Sequence, residues 1–147
     1  MRVLASGVFD LIHYGHIRFL EEARRLGEPN PWLTVIVASD ETVKRMKGRS
    51  PIMPEDQRRA LVEALKVVDE VFIGERILDM DRIILLTRPD IIAVGHDQND
   101  IEEQARYLIS GKGYKIKVIR IGKFGSEALN SSSKIRKRIV EGSEKRS

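Results

Sequence analysis

The chain contains no cysteine among its 147 residues. Without thiols it can form neither disulfides nor thiolate zinc sites. Long hydrophobic runs are missing too, since none approaches the roughly 20 apolar residues that span a bilayer. These absences exclude a disulfide scaffold, a cysteine-dependent enzyme and a helical membrane protein. The first residues show no apolar stretch with a small-residue cleavage site, so no signal peptide is predicted and a cytoplasmic protein is expected.

Length and composition predict one globular domain over residues 1–147. The net charge of +4 at pH 7 comes from residues 134–147, which hold six basic and two acidic groups, so the remaining 20 basic and 20 acidic groups balance. We interpret this region, including a basic tail at about 141–147, as a solvated face. No aromatic residue lies within it, so base stacking is unsupported and nucleic acid is not an expected partner.

Short β-branched runs alternate with amphipathic stretches along the chain. Strands are predicted at residues 2–6, 32–39, 70–73, 91–94 and 115–121. Helices are predicted at residues 16–26, from about 54, and at 78–86, 101–108 and 132–140. This alternation predicts a single α/β domain with a Rossmann-like, doubly wound parallel sheet of five strands. Ligands of such folds bind beyond the carboxyl ends of the strands.

The segment after the first strand has the pattern of a phosphate site. His13 and His16 are three residues apart at the start of a helix, so both rings can project from one face. Gly7 allows close backbone approach, and the free N–H groups of a helix start favour an anion. Structural or exposed histidines and a metal pair are the alternatives. The metal interpretation is weak because His96 is the only other histidine and no HExxH pattern is present.

Residues 7–16, GVFDLIHYGH, resemble the first signature of the HxGH nucleotidyltransferases, a superfamily that includes cytidylyltransferases, pantetheine-phosphate adenylyltransferase and archaeal FAD synthases. The resemblance extends from residue 3 to about 140. It implies that a phosphorylated or carboxylated acceptor attacks the α-phosphate of a nucleoside triphosphate and pyrophosphate leaves. The resemblance also implies that His13 and His16 act in catalysis as hydrogen-bond donors to the phosphate oxygens. It also predicts nucleotide contacts along the same segment, at Ser6, Gly7, Val8, Phe9, Gly15 and His16.

Asp10 lies in this segment, and its carboxylate has two candidate roles. The first is that of a metal ligand. We favour the other, in which its carboxylate braces the loop by accepting hydrogen bonds from local N–H groups.

Cationic residues follow the second predicted strand. In related enzymes a lysine-bearing mobile loop here precedes a helix whose early arginine meets phosphates. Arg58 matches that arginine, and Lys44 and Lys47 are equal candidates for the loop lysine. A planar guanidinium suits two phosphate oxygens at once, so we favour Arg58 as a phosphate ligand over a solvated role. A solvated role is favoured for Arg59.

After the fourth predicted strand comes Gly95-His96-Asp97-Gln98. Related enzymes place a Gly-x-Asp segment beside the base and the acceptor, and Gly95 and Asp97 match it. The Gln98 variant resembles archaeal FAD synthases, whereas glycerol-phosphate enzymes usually have Gly-Asp-Asp-Trp. A capped turn before a helix is the alternative for Gln98.

The last predicted helix opens on a polar run: Asn130, Ser131, Ser132 and Ser133. Hydroxyls and N–H groups at a helix start can cap it or bind phosphate. The run resembles the Ser-Thr-Thr of the second superfamily signature, which implies phosphate contacts. The arginine of that signature falls on Ser126, and Lys123 or Arg136 are candidates to replace it.

The resemblance implies an enzyme that transfers AMP from ATP to FMN, giving FAD and pyrophosphate. Mg²⁺ or another divalent cation would partner the leaving pyrophosphate, and the expected partners are small-molecule substrates. The alternative is a cytidylyltransferase that uses CTP with glycerol 3-phosphate or another phosphorylated polyol. A non-catalytic nucleotide-binding protein is a more remote one. Members of the superfamily are often dimers, so a homodimer is expected.

Overall fold

A computed structural model describes residues 1–74, 79–122 and 132–146, with side chains of the last helix described for residues 135–142. The strands are β1 (Arg2–Gly7), β2 (Trp32–Val37), β3 (Glu70–Ile73), β4 (Ile91–Val94) and β5 (Lys117–Arg120). The helices are α1 (Tyr14–Arg25), α2 (Asp40–Lys47), α3 (Glu55–Glu63), α4 (Met80–Thr87), α5 (Asn99–Lys112) and α6 (Ser132–Arg146). Within these ranges no helix combines the length and the apolar character that crossing a membrane requires.

The sheet confirms the predicted fold class. All four strand pairings are parallel, and the strand order is β3-β2-β1-β4-β5. The chain winds outward from β1 in one direction through β2 and β3, and then returns to the other side of β1 to add β4 and β5. The order therefore reverses between β1 and β4, and the crevice beyond their carboxyl ends is the expected ligand site of a doubly wound sheet.

Each face of the sheet is covered by helices, which explains the nearly continuous apolar strands. Alternate strand residues point to opposite faces. Val3 of β1 packs with Leu20 of α1 and Val62 of α3 on one face. Leu4 packs with Ile84 of α4 on the other. Strands buried on both faces lose the polar alternation of a half-exposed sheet.

Helix α2 differs from the expectation, because the resemblance implies a mobile loop around its lysines. Ser39, predicted to end the second strand, is instead the N-cap of α2, and its hydroxyl accepts from the Thr42 N–H at 3.2 Å. The helix ends at Gly48, whose φ of 72° is left-handed. Acidic residues occupy the first turn and basic residues the last, which suits the helix dipole. The loop that the resemblance implies is wrong for these lysines, because a helix capped at both ends, with Thr42 and Val43 buried, carries them.

Arg58 is fully buried at the carboxyl edge of the sheet. Its Nε donates to the Met53 carbonyl at 2.9 Å, and Nη1 donates to the carbonyls of Val8 at 2.8 Å and Ala38 at 2.7 Å. Its Nη2 donates to Asp40 Oδ1 at 2.7 Å. The guanidinium thus connects the loop after β1, the end of β2, the start of α2 and the residue before Pro54, the N-cap of α3.

The structure predicts a large stability difference between two adjacent arginines. Arg58→Met should lower the free energy of unfolding by at least about 3 kcal/mol, because it leaves three carbonyls without their donor. Arg59→Met removes an exposed arginine paired with Glu63. This substitution should change the free energy of unfolding by less than about 0.5 kcal/mol. Urea denaturation of both variants measures the difference, and equal losses would contradict the bracing role of Arg58.

Candidate active site

His13 and His16 together build the start of α1. His13 is the N-cap residue, and its Nδ1 accepts from the Gly15 N–H at 3.0 Å. His16 reaches back, and its Nδ1 accepts from the His13 N–H at 3.2 Å. The two rings thus make a capping box, in which Ser or Thr and Glu or Gln are the usual residues. Because each Nδ1 is an acceptor, the proton of each neutral ring lies on Nε2.

The two imidazole rings lie against each other at the first turn of the helix. Their centroids are 3.8 Å apart and their planes differ by 26°. Phe9 packs on His16 with a centroid distance of 5.3 Å. The pair therefore presents two N–H donors at a helix N-terminus, where the backbone dipole also favours an anion.

Burial keeps both histidines neutral. It lowers the pKa of His16 to about 3, an effect to which the nearby charges of His13 and then Lys47 add, while Asp10 opposes it. Burial also lowers the pKa of His13. At neutral pH the pair therefore consists of uncharged donors, free of the mutual repulsion that two imidazolium ions would feel.

The loop between β1 and α1 folds back on itself. Phe9 and Leu11 have positive φ values of 54° and 55°, an unusual conformation for residues other than glycine. A Cβ at Gly7 would lie 2.8 Å from Cε2 of Phe9, so glycine is required there. The Phe9 ring is buried in the core, and only its backbone can meet a ligand. The predicted nucleotide segment is thus held by packing of its own residues.

Gln98 joins the two strands at the point where the strand order reverses. Its Nε2 donates to the Ser6 carbonyl of β1 at 2.9 Å, and its Oε1 accepts from the Gly95 N–H after β4 at 2.7 Å. Gln98 does lie in a turn before α5, but its side chain bonds to Gly95 and Ser6 and does not cap the helix, and sequence reasoning missed the link to β1. Asp97 in the same turn is exposed at this edge.

The structure separates the predicted cations. Lys44 and Lys47 are exposed on α2, and the charge of Lys47 is among those that lower the pKa of His16. Lys47 therefore lies close enough to act on the histidine pair electrostatically. Arg58, predicted as a phosphate ligand, has no exposed surface, and the donors described above are bonded within the protein. In this geometry it is a brace of the site and not a phosphate ligand.

Asp10 links the loop to two distant parts of the chain. Its carboxylate accepts from the N–H groups of Ile52 at 2.8 Å and Met53 at 3.0 Å. Arg136 Nη2 of α6 donates to it at 2.6 Å. The predicted bracing role is confirmed, but these two N–H groups lie 42 and 43 residues along the chain, whereas the prediction was of local ones. The pairing with Arg136 was not anticipated, because nothing in the sequence links two positions 126 residues apart.

Helix α6 begins at Ser132, as predicted. Ser132 and Ser133 form its first turn, and Arg136 stands one turn further along. Several predicted residues lie outside the described ranges: Lys123, Ser126, Asn130 and Ser131. The contact of Arg136 with Asp10 brings the beginning of α6 toward the loop that holds the histidines.

Comparison with known proteins identifies the class. The cytidylyltransferase-like family matches residues 4–138, and the chain belongs to this family. It is similar to the FAD synthase of Ferroglobus placidus, with 48% identity over 139 residues that cover 95% of this chain and 88% of that protein. It is also similar to the FAD synthase of Aciduliprofundum boonei, with 45% identity over 96% of this chain and 91% of that protein.

Solved structures agree with this assignment of the fold. A "lipopolysaccharide core biosynthesis protein" from Thermoplasma volcanium has a TM-score of 0.76 at 41% identity and covers 85% of this chain and 98% of its own. Pantothenate synthetase from Thermus thermophilus has a TM-score of 0.56 at 16% identity, over 93% of this chain and 63% of its own. At that identity the second likeness concerns the fold alone.

The buried histidine predicts a pH-dependent stability. Unfolded His16 titrates near its ordinary pKa of about 6.5, whereas burial lowers the folded pKa to about 3. Between these values the unfolded chain binds more protons, so stability falls as the pH is lowered through this window. His16→Gln keeps a capping residue at the same helix position and removes the titration. From pH 7 to 4.5 the wild type should therefore lose roughly 2 to 3 kcal/mol more than the variant.

Urea denaturation of both proteins at several pH values measures this difference. Parallel pH profiles would show that the folded state does not suppress protonation of His16.

Proposed function

We propose that this protein transfers AMP from ATP to FMN, giving FAD and pyrophosphate. Two FAD synthases are 45–48% identical to it over nearly the whole chain. The observation that carries the chemistry is the neutral histidine pair of α1, with each Nδ1 engaged by backbone and each Nε2–H left to donate.

In the proposed reaction a phosphate oxygen of FMN attacks the α-phosphorus of ATP. A new P–O bond forms, the bond from that phosphorus to the bridging oxygen breaks, and pyrophosphate leaves with the electron pair. The attacking phosphate is largely ionised at neutral pH because its second pKa is about 6, so no general base is required. His13 and His16 donate through Nε2–H to the non-bridging oxygens, where charge grows.

The surrounding residues would bind the remaining parts of the two substrates. Lys47, with Lys44 on the same helix, would hold the triphosphate from α2, and Arg136 from α6. Backbone at Gly7 and Gly15 would approach the phosphates. The turn of Gly95, Asp97 and Gln98 would contact the base or the acceptor, and the run at the start of α6 would add N–H groups and hydroxyls: Asn130, Ser131, Ser132 and Ser133.

A divalent cation fits this site as a partner of the triphosphate. Among the described residues no three His, Cys, Asp or Glu side chains lie together as a metal cage. The Asp10 carboxylate accepts from two backbone N–H groups and Arg136. Mg²⁺ commonly binds through substrate phosphates and keeps several waters, so it would arrive with ATP and neutralise charge on the leaving pyrophosphate.

The remaining expectations follow from the same reaction. The partners would be the small-molecule substrates themselves. The protein would act in the cytoplasm and use the nucleotides and the flavin found there. A homodimer stays a prediction.

The choice of substrates is tested by supplying Mg²⁺ with each pairing of ATP or CTP and FMN or glycerol 3-phosphate. We expect FAD and pyrophosphate from ATP with FMN, detected by chromatography and a coupled pyrophosphate assay. A CDP-polyol product would replace the proposal with the cytidylyltransferase alternative. Nucleotide binding with no product from any pairing would contradict it as well.

The role of the histidine pair predicts the effect of His16→Ala. Removal of one preorganised donor should lower kcat by about 10² to 10³-fold. The lost capping interaction should cost only about 1 kcal/mol of stability, so circular dichroism should show a folded protein at the assay temperature. Tyr107→Ala, which truncates an exposed ring on α5, is the control. Wild-type turnover in a folded His16→Ala variant would refute the assigned role.

A further inference from the structure

Among the acidic residues whose burial the structure describes, Asp10 is the most deeply buried, with 4% of its surface exposed. A carboxylate taken out of water requires hydrogen-bond donors or a cation. It receives two backbone N–H groups from the segment before α3 and the guanidinium of Arg136 from α6. These bonds engage the carboxylate within the protein, so Asp10 does not need to touch a substrate to affect the site.

Arg136 is the residue through which Asp10 could act on a nucleotide. The side chain is 19% exposed, and its Nε is buried with no hydrogen-bond partner among the described residues. An unsatisfied buried N–H of a charged group is costly, so Arg136 holds a donor that an anion could use. Its Nη2 is meanwhile fixed by Asp10 at 2.6 Å.

The ion pair also lies within electrostatic reach of the histidines. The negative charge of Asp10 acts on His16, opposite in sign to the effect of Lys47. Asp10, Lys47 and His13 are therefore all close enough to His16 to interact with it electrostatically. Arg136 of α6 joins this group through its contact with Asp10.

We propose that Asp10 is a positioning residue that holds Arg136, and with it the start of α6, beside the histidine pair so that the guanidinium can receive the nucleotide triphosphate. The role of Arg136 in ATP binding rests on the proposed function. The carboxylate acts through Arg136 and through the backbone of residues 52–53, not by contact with ATP.

The test is a double-mutant cycle on nucleotide affinity. The probe is α,β-methylene-ATP with Mg²⁺, which binds without reacting, and its Kd is measured by calorimetry. The proteins are the wild type, Asp10→Asn, Arg136→Gln and the double variant. We expect Asp10→Asn to weaken binding by about tenfold in the wild-type background and by less than about twofold in the Arg136→Gln background, because the two residues act as a unit.

A matched control separates positioning from general stability. Asp69 also accepts a backbone N–H, that of Leu33 at 2.7 Å, and pairs with an arginine, Arg24. It immediately precedes β3 and therefore lies at the amino edge of the sheet, away from the histidines. Asp69→Asn should also lower the melting temperature but leave the Kd within about twofold of wild type.

The outcomes distinguish the proposals. Unchanged affinity in folded Asp10→Asn, or an equal loss with and without Arg136, would overturn the positioning role. If Asp10→Asn does not fold, Arg136→Gln alone must weaken binding about tenfold, and wild-type affinity there would overturn it. The cycle measures nucleotide binding only. Failure of the wild type to make FAD would therefore contradict the proposed function without changing the conclusion about Asp10 and Arg136.

Discussion

The backbone N–H and C=O of Met53 each bond to a buried charged side chain, and the site depends on this arrangement. Asp10 accepts its N–H at 3.0 Å, and Arg58 donates to its carbonyl at 2.9 Å. Neither side chain could be buried without such partners, because desolvation of an unpaired charge is costly. The backbone of one residue thus helps to satisfy two charges. It thereby fixes the loop after β1 against α2 and α3.

The histidine pair combines an observed folding role with the chemical role proposed for it. By accepting backbone N–H groups through Nδ1, the rings complete the start of α1 and fix their own tautomer. The same burial that lowers the pKa of His16 keeps it an uncharged donor. Donors held in place before the reaction need little reorganisation when charge develops, which is the main requirement of electrostatic catalysis.

The order of the strands determines where these residues meet. Because β1 is central and the winding reverses beside it, the loop after β1 and the turn after β4 face the same crevice. Gln98 bonds to both strand ends and so links them beyond their last paired residues. The histidine pair is thereby placed on the α1 side of the crevice and the Gly95–Gln98 turn on the other.

By itself, the sequence determined the features that depend on near neighbours. Periodicity predicted the five parallel strands, the spacing of His13 and His16 predicted a pair at a helix start, and Ser132 was found as the start of α6. The mobile loop that the resemblance implied around Lys44 and Lys47 is instead helix α2, which is held by its caps and by the burial of Thr42 and Val43.

Only the tertiary structure decided what the buried charges do. A charged residue resembles a surface residue in a sequence, and its partners can be carbonyls or side chains from anywhere in the chain. Arg58 therefore changed from a predicted phosphate ligand to a brace, and Asp10 gained Arg136, 126 residues away. The long-range packing of the sheet brings these groups together, and no local pattern records it.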